Sequence, residues 1–349
     1  MTSLEVLYMV KIGVLGAGIN GVGCAFRIKE KYKEFDVVLI SESFSPQTTG
    51  DGSGGLWYPY LCGDTPEDQL NQWGGETYRY YHSLWLQGGY SVSMMPIYAL
   101  YTAATAAASA RAGPGWPESV FGYRELGLRE LEYVRSLYNG AYIAGHTFTT
   151  FVVTPSAVIS HLQSQFSQMG GLILEAKVTS LRDTILKDYD VVVNCCGLGA
   201  REMVPDYKVA PIRGQILKVS APWVNYTISE HDSGHYIIPN INFCVMGGTH
   251  QENDFNRNID PKDTEFIVNG CTTIVPSLKN AKVLNEWVGL RPGRPRVRLE
   301  PQHIDGKLYI HNYGHGGSGL TLFQGCATEV LQILDSNLNT DSNVTKSKL

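Results

Sequence analysis

The sequence predicts an α/β protein in which a doubly wound parallel sheet is interleaved with a second, β-rich α+β domain. Three observations carry this prediction: a βαβ unit near the start, later strands of the buried parallel type, and two intervening stretches of different character. A chain of 349 residues is longer than one hydrophobic core usually supports, so two domains are expected.

The first predicted element is a Rossmann-like βαβ unit. A buried-strand pattern ends in a glycine-rich turn, Gly16-Ala17-Gly18-Ile19-Asn20-Gly21. Gly16 permits the tight turn, Gly18 lets a pyrophosphate approach the backbone, and Gly21 lets the following helix pack closely on the strand. Glu42 ends the next strand, where a carboxylate can accept a hydrogen bond from a ribose 2′-hydroxyl. The unit therefore predicts dinucleotide binding.

Later segments extend the parallel sheet. Residues 157–169 have helical spacing, and residues 172–176 and 190–194 read as further strands. A last strand at 307–311 runs into the glycine-rich turn 312–320, which a helical pattern follows. Such a turn presents backbone N–H groups and the positive end of a helix, which suits the negative charge of a reduced flavin.

The second domain is predicted to be inserted twice into the first. Residues 65–150 are rich in Trp, Tyr, Ala and Gly, and residues 213–283 alternate apolar and polar side chains, as half-buried antiparallel strands do. The predicted boundaries give 9–62, 152–212 and 284–336 to the nucleotide domain, 63–151 and 213–283 to the substrate domain, and 337–349 to a flexible tail.

Composition argues against several classes of function. The net charge of −5 comes without a basic stripe, so nucleic acid is not an expected partner. The seven cysteines have no metal-ligand spacing, so no metal is expected and the thiols are read as reduced. The sequence contains no apolar stretch of transmembrane length, so no membrane span is predicted.

The last three residues carry a targeting signal. Ser347-Lys348-Leu349 match the peroxisomal address that an import receptor reads at a free C-terminus. The polar stretch from Ser336 is expected to present this tripeptide to the receptor. The sequence therefore predicts residence in the peroxisomal matrix, with the import receptor as a partner.

Many blocks along the chain carry a family resemblance. They include Val14-Leu-Gly-Ala-Gly18, Thr48-Thr-Gly-Asp51, Ile212-Arg-Gly-Gln-Ile216, Tyr236-Ile-Ile-Pro239, Gly289-Leu-Arg-Pro292 and His311-Asn-Tyr-Gly-His-Gly-Gly-Ser-Gly319. Over nearly its whole length the sequence resembles the D-amino-acid oxidase and D-aspartate oxidase family. The resemblance implies bound FAD, a β-rich substrate domain and peroxisomal residence. A homodimer is a further expectation.

The resemblance also implies a substrate site. Arg291 would bind the substrate carboxylate through paired donors, and the Tyr236 hydroxyl would add a third contact. The carbonyl of Gly317 would receive the amine, and Tyr58 would form part of the pocket wall. A surface salt bridge is the alternative role for Arg291, because three more arginines follow it closely.

The implied cofactor contacts lie in several separate parts of the chain. Glu42, Ser43, Thr48 and Thr49 match positions that bind adenosine and phosphates, and Thr321 matches one at the flavin pyrimidine. The predicted cofactor set is Gly16, Ala17, Gly18, Ile19, Asn20, Gly21, Glu42, Ser43, Thr48, Thr49, Gly55, Leu56, Gly197, Arg291, Gly316, Gly317, Ser318, Gly319, Leu320 and Thr321.

The implied reaction needs no acid or base from the protein. An amino acid that is neutral at nitrogen can release its α-hydrogen as hydride to flavin N5 when the two are aligned and water is excluded. The imino acid then hydrolyses to a 2-oxo acid and ammonia, and oxygen reoxidises the flavin with formation of hydrogen peroxide. His311 and His315 are therefore expected to pack and hydrogen-bond near the flavin rather than to transfer protons.

The substrate class is predicted from two positions. Family members that oxidise acidic D-amino acids resemble one another in two extra cations, where this chain has Ser229 and His250. Burying a second carboxylate without a fixed partner is costly, so neutral D-amino acids are expected. D-Aspartate oxidase is the alternative, because the blocks 197–201, 248–251 and 288–294 look more like that branch. A protonated His231, His235 or His250 could supply the charge.

Two other classes share parts of this pattern. An NAD-dependent dehydrogenase would have the first βαβ unit but no need of the late glycine-rich turn. A flavin-binding homologue without activity would not need to keep both Tyr236 and Arg291. Both alternatives are therefore disfavoured.

Overall fold

A computed structural model describes residues 9–103 and 117–346, with side chains up to residue 338. Its strands are β1 (Lys11–Leu15), β2 (Asp36–Ser41), β3 (Val92–Tyr101), β4 (Phe121–Glu125), β5 (Ala144–Val153), β6 (Leu172–Glu175), β7 (Val191–Asn194), β8 (Ala210–Ser220), β9 (Thr227–Glu230), β10 (Tyr236–Pro239), β11 (Cys244–Gly247), β12 (Gln251–Glu252), β13 (Lys282–Gly293), β14 (Arg298–Ile304) and β15 (Lys307–Tyr313).

The helices with both ends described are α1 (Ile19–Lys31), α2 (Glu67–Gln87), α3 (Leu128–Leu137), α4 (Pro155–Gln168), α5 (Ala200–Met203), α6 (Pro261–Ile274) and α7 (Gly319–Lys346). Short 3₁₀ turns connect several of them, including Thr49–Gly52 and Gly197–Gly199. Both turns lie beside the carboxyl ends of strands in the first sheet.

The first sheet is the predicted nucleotide-binding sheet. Its order is β14-β15-β7-β1-β2-β6, with parallel pairing from β15 to β6 and an antiparallel β14 at one edge. All four residues of β7 are buried, as are the last four of β1, because α1 and α4 cover one face of the sheet and the segment around residues 181–189 covers the other. Gly21 lets α1 approach β1: a Cβ there would overlap the carbonyl oxygen of Gly16.

The second sheet is mainly antiparallel. Its order is β12-β8-β11-β10-β9-β3-β5-β4, and β13 pairs with β8 along the opposite edge. The β8–β13 ladder runs from the pair Lys282 and Ser220 to the pair Gly293 and Ala210. The predicted fold class, a parallel nucleotide sheet with an interleaved β-rich domain, is therefore confirmed.

Three predicted boundaries differ from the observed sheets. The prediction gave residues 284–293 to the nucleotide domain. The structure instead places β13 in the second sheet, because it pairs with β8 along nearly its whole length. The long helix α2, predicted within the substrate domain, packs on α7. There the Tyr81 hydroxyl donates to the Leu320 carbonyl, and the Trp73 indole donates to Glu329. Helix α7 continues to Lys346, so residues 337–346 are helical rather than a flexible tail.

Candidate active site

A cavity of about 780 Å³ lies at the carboxyl ends of β1, β2 and β7 and continues to β10 and β13 of the second sheet. This volume is in the upper half of the usual range for small-molecule sites. The carboxyl ends of parallel strands are where nucleotides bind in doubly wound folds. The cavity therefore joins a nucleotide half to a half lined by the second sheet.

Most of the predicted cofactor residues line this cavity. They are Gly16, Ala17, Gly18, Ile19, Asn20, Glu42, Ser43, Thr48, Thr49, Gly55, Leu56, Gly197, Arg291, Gly316, Gly317, Gly319 and Leu320. Most of them come from segments that follow β1, β2, β7 and β15, whereas Arg291 lies within β13. The fold thus brings together residues that lie as far apart in sequence as Gly16 and Leu320.

Three residues of the predicted cofactor set do not line the cavity, and the structure gives them other contacts. Gly21 makes room for the α1–β1 packing. The Ser318 hydroxyl accepts from the backbone N–H of Tyr60 at 2.6 Å and lies 2.9 Å from its carbonyl. The Thr321 hydroxyl makes the same pair of contacts with the backbone of Tyr58, at 3.2 and 3.1 Å. The two hydroxyls therefore position the segment that carries Tyr58 and Tyr60.

Two helix starts point positive charge at the nucleotide half. Helix α1 begins after Gly18, helix α7 begins at Gly319, and neither has an acidic residue in its first turn. Unpaired N–H groups at a helix start favour phosphates and other anions. A Cβ on Gly18 would meet no atom within 4 Å, so open space lies directly in front of this turn.

Two buried polar atoms in the cavity wall lack a partner in the described structure. The Asn20 amide nitrogen lies 3.3 Å from Nδ1 of His315, which leaves Asn20 Oδ1 and His315 Nε2 without hydrogen bonds. Burial lowers the pKa of His315 to about 4, so the ring is neutral. With Nδ1 as the acceptor, Nε2 carries the proton. An acceptor and a donor are thus available for a polar ligand at this wall.

The acidic and hydroxyl residues of the nucleotide half are partly engaged. Glu42 follows β2 and forms an exposed ion pair with Lys177 at 3.1 Å. Both the N–H and the hydroxyl of Thr48 donate to Asp51, at 2.9 and 2.6 Å. Thr48 therefore has no donor left for a phosphate, whereas Thr49 stands at the start of a 3₁₀ turn.

Arg291 lines the second half of the cavity. Its Nη1 donates to the Thr249 carbonyl at 3.0 Å, and its guanidinium lies 5.9 Å from the centre of the Tyr60 ring. Gly214 on the paired strand makes room for it, because a Cβ there would overlap the guanidinium. No carboxylate of the described residues forms an ion pair with Arg291. The cation is thus held in place and free to take an anionic ligand.

Tyr236 lies beside Arg291 in the same cavity. Burial raises the pKa of its hydroxyl, although Arg291 partly opposes this by charge and by a hydrogen bond. Its ring packs on the backbone of Gly247 and Gly248, where a Cβ on either residue would overlap it. The two predicted carboxylate ligands, Arg291 and Tyr236, are therefore adjacent, with the phenol protonated and able to donate.

The wall beyond these residues is aromatic and neutral. The Tyr58 hydroxyl lies 3.1 Å from Nε2 of His231 and 3.4 Å from Nε2 of His146. Burial lowers the pKa of each imidazole to about 4, and burial raises the pKa of the Tyr58 phenol. All three side chains are therefore uncharged near neutral pH.

The histidines considered in the sequence fall into different environments. Ser229, His231 and His250 line the cavity. His235 does not, because its ring turns towards the Phe266 carbonyl, 3.1 Å from Nε2, and so cannot supply charge to a substrate. His311 is fully buried with both ring nitrogens bonded, to Asn194 and Gln302, which is a structural role.

Sequence reasoning missed three residues of the cavity wall. Tyr60 packs on Arg291, Trp287 fills the space above Gly52 and Gly289, and Arg257 lies on the loop after β12. Gly52 and Trp287 are far apart in sequence, so their contact leaves no local signal. Arg257 stood in a polar stretch with no spacing that marked it.

Comparison with known proteins decides the family. The family model for DAO, described as FAD dependent oxidoreductase, matches residues 11–333. The chain belongs to this family. The prediction of the family from the sequence blocks is thereby confirmed. The DAO-family chain is an FAD-dependent oxidoreductase, and the two helix starts, the open space at Gly18 and the unpaired atoms of Asn20 and His315 fit an FAD in its cavity.

The relatives of this DAO-family chain include oxidases of both substrate branches. It is 34% identical to a D-amino acid oxidase of Dugesia ryukyuensis over 340 residues, which cover 94% of this chain and 98% of that protein. It is 32% identical to a D-aspartate oxidase of Homo sapiens over 331 residues, with 93% and 94% covered. These identities alone do not separate the two branches.

Solved structures share the fold. Glycine oxidase from Bacillus cereus ATCC 14579 superposes with a TM-score of 0.78 at 16% identity, covering 94% of this chain and 95% of that one. L-alpha-Glycerophosphate oxidase from Mycoplasma pneumoniae, solved with FAD bound, gives a TM-score of 0.76 at 15% identity, with 94% and 95% covered. In the described part of the chain, none of the helices is long and apolar enough to cross a membrane.

Proposed function

We propose that this oxidoreductase oxidises D-amino acids to imino acids, which hydrolyse to 2-oxo acids and ammonia, and passes the electrons to oxygen to give hydrogen peroxide. The observation that carries the proposal is the Arg291–Tyr236 pair. A guanidinium without an acidic partner among the described residues stands beside a protonated phenol, in the cavity that fits FAD. Such a pair binds a carboxylate with defined position and angle. Both relatives named above are oxidases of D-amino acids by name.

The residues of the chain orient the substrate and exclude water. Bound FAD supplies the hydride acceptor. Arg291 holds the α-carboxylate, Tyr236 donates a further hydrogen bond to it, and the Gly317 carbonyl is proposed to receive the amine. The nearby imidazoles of His231 and His315 are neutral, and burial lowers the pKa of each to about 4. Orientation therefore contributes most of what the protein adds to the reaction.

Neutral D-amino acids are the proposed substrates. The cavity is lined here by the uncharged Tyr58 and His231, and Ser229 brings no charge; the neutral His146 lies behind Tyr58. A second carboxylate placed against this wall would lose its hydration without gaining a cation. A neutral side chain has no such cost.

D-Aspartate oxidase is the second candidate, and Arg257 is the observation that favours it. Arg257 lines the cavity, and buried Arg213 anchors the loop on either side of it through the carbonyls of Asn256 and Asn258, at 2.9 and 2.7 Å. The Arg257 side chain is exposed, so a contact with a second carboxylate would be solvated and weak. For this reason the neutral class is preferred.

The proposed function is tested by hydrogen peroxide production from the purified, FAD-loaded protein. D-Alanine, D-methionine, D-aspartate and D-glutamate are compared with their L-forms at equal concentration. Turnover of D-alanine and D-methionine supports the proposal, whereas turnover confined to the two acidic D-forms establishes the second candidate. Absence of peroxide with every D-form, from protein that retains FAD, contradicts both.

We also propose peroxisomal import through Ser347-Lys348-Leu349, which lie outside the described residues. The match to a receptor-read address and a peroxide-forming reaction support it. A fluorescent protein fused ahead of residues 337–349 should co-localise with a peroxisomal marker, and the same fusion without Leu349 should stay diffuse. Diffuse fluorescence of both fusions contradicts the proposal. A homodimer remains a prediction that analytical ultracentrifugation can test.

A further inference from the structure

We infer that the hydrogen-bonded pair Tyr58 and His231 forms a rigid end wall of the substrate cavity and limits the length of the substrate side chain. This inference rests on the proposed function and deepens it, because it selects short neutral D-amino acids over bulky ones. The two residues come from distant parts of the chain and meet at the wall of the cavity that Arg291 and Tyr236 also line.

Tyr58 is held from its backbone and from its ring. Its N–H and its carbonyl both bond the Thr321 hydroxyl, at 3.2 and 3.1 Å, which fastens the residue to the start of α7. Its ring lies nearly parallel to those of Phe148 and His146 on β5, with centroids 6.2 and 6.3 Å away. A side chain fixed at both ends moves aside only at the expense of these contacts.

His231 is held equally firmly on the other side. It opens the turn between β9 and β10, and its N–H donates to the Leu100 carbonyl at 3.0 Å. Its ring stacks on Tyr101 with centroids 4.3 Å apart and planes inclined by 12°. The neighbouring Asp232 carboxylate accepts from the N–H of Thr102, so the turn is tied to the end of β3.

The contact between Tyr58 and His231 joins these two supports. The hydroxyl lies 3.1 Å from Nε2 of His231, and His146 stands within 3.4 Å as a further partner. Each group in this cluster is neutral, and the Tyr58 hydroxyl, which also bonds Tyr101, is engaged by side chains of the cluster. A substrate side chain that reached this wall would have to break the bond or displace a stacked ring.

The enzyme should therefore discriminate between D-amino acids by the length of their side chains. Because Tyr58 and His231 line the same cavity as Arg291, we expect the side chains of D-alanine and D-serine to end short of this wall and the longer one of D-phenylalanine to reach it. Packed interiors tolerate an added aromatic ring poorly because their side chains occupy defined rotamers.

The experiment compares Tyr58→Ala, Tyr58→Phe and His231→Ala with the unaltered FAD-loaded enzyme. Two readouts are taken: kcat/KM for D-alanine and D-phenylalanine, and the affinities of acetate and 3-phenylpropionate from the change in flavin absorbance. Tyr58→Ala should raise the ratio of D-phenylalanine to D-alanine kcat/KM by about tenfold or more, with a parallel gain for 3-phenylpropionate. His231→Ala should do the same less strongly, and Tyr58→Phe should change the ratio by less than about threefold because the ring stays.

Tyr98→Ala is the matched control. Tyr98 lies on β3 like Tyr101 but packs on Tyr138 and Tyr226, away from the cavity wall. Its removal should leave unchanged both the ratio of D-phenylalanine to D-alanine kcat/KM and the ratio of the affinities for 3-phenylpropionate and acetate. A general loosening of the second domain would instead alter the ratios in the control as well, and that result overturns the assignment to Tyr58 and His231.

The outcomes separate this inference from the proposed function. Unchanged ratios in both Tyr58→Ala and His231→Ala, with FAD retained, overturn the wall even when D-alanine is oxidised. If D-amino acids are not turned over, the proposed function fails, and the carboxylate affinities still decide the wall. Should Tyr58→Ala lose FAD, Tyr58→Leu and His231→Ala give the decisive ratios.

Discussion

The two halves of the cavity are built on different principles. The nucleotide half consists of turns and helix starts, so backbone groups such as those after Gly16 and at Gly319 do most of the binding. The substrate half consists of side chains from separate strands and turns, with Arg291 on β13 and Tyr236 on β10. The positions of the binding groups in the nucleotide half therefore depend on local sequence. Those in the substrate half depend on how distant strands pair and pack.

This difference predicts that substitutions in the two halves fail in different ways. In the substrate half, a substitution should remove activity and leave FAD bound. In the nucleotide half, it should remove FAD or destabilise the fold. The following variants test the separation, beginning with the largest expected effect.

Arg291→Leu should lower kcat/KM for D-alanine by about 10²- to 10³-fold, because the carboxylate loses its charged, two-pronged partner. The flavin content should match that of the unaltered protein, since Arg291 holds no structural ion pair among the described residues. Steady-state kinetics and flavin absorbance check both statements. Arg296→Leu is the control, because Arg296 is exposed and outside the cavity, and equal losses in the two variants would contradict the assigned role.

Gly21→Ala and Gly18→Ala form a matched pair within the nucleotide half. A Cβ at Gly21 would overlap the Gly16 carbonyl, so the apoprotein should lose about 1–3 kcal/mol of unfolding free energy. A Cβ at Gly18 meets open space, so the apoprotein should keep its stability while its affinity for FAD falls. Denaturant unfolding of the apoproteins and FAD titration measure the two effects. A stability loss in Gly18→Ala alone would contradict this account.

Tyr236→Phe should have a smaller effect than Arg291→Leu. It removes one hydrogen bond to a charged group, which is worth about 1.5–3 kcal/mol, so kcat/KM for D-alanine should fall by roughly 10- to 100-fold. The ring remains on Gly247 and Gly248, so stability should change little. Kinetics and thermal unfolding of the holoenzyme measure this. Activity equal to that of the unaltered enzyme would exclude Tyr236 from carboxylate binding.

Arg257→Leu should have the smallest effect. Because Arg257 is exposed, its attraction for a second carboxylate is worth at most about 1 kcal/mol, or roughly fivefold in kcat/KM for D-aspartate. D-Alanine turnover should not change. A loss of D-aspartate turnover by more than about a hundredfold would show that Arg257 is a fixed cation and would favour the second candidate function.

The success of the predictions from sequence differs in the same way between local features and contacts between distant segments. The turn at 16–21, the buried strands and the late glycine-rich turn were predicted correctly because their signals are local. The place of β13 and the partners of α2 depend on pairing and packing between distant segments, which local patterns do not encode. The same holds for the substrate wall, because neither Tyr58 nor His231 carries a local sign that they meet.

The roles of Ser318 and Thr321 show a second limit. A resemblance transfers a residue type to a position but not the direction of its side chain. Both hydroxyls turn to the backbone of the segment 58–60 instead of lining the cavity. Thr48 is similar, because Asp51 takes both of its donors. Assignments of this kind need the hydrogen-bond partners as well as the sequence.

Oxidation of D-amino acids by this enzyme is tested by anaerobic mixing of the FAD-loaded enzyme with D-alanine and, separately, with L-alanine. We expect D-alanine to bleach the absorbance of the oxidised flavin, L-alanine to leave it unchanged, and Arg291→Leu to slow the bleaching by orders of magnitude. Equal bleaching by both enantiomers, or none by D-alanine and the other D-amino acids, would contradict this expectation.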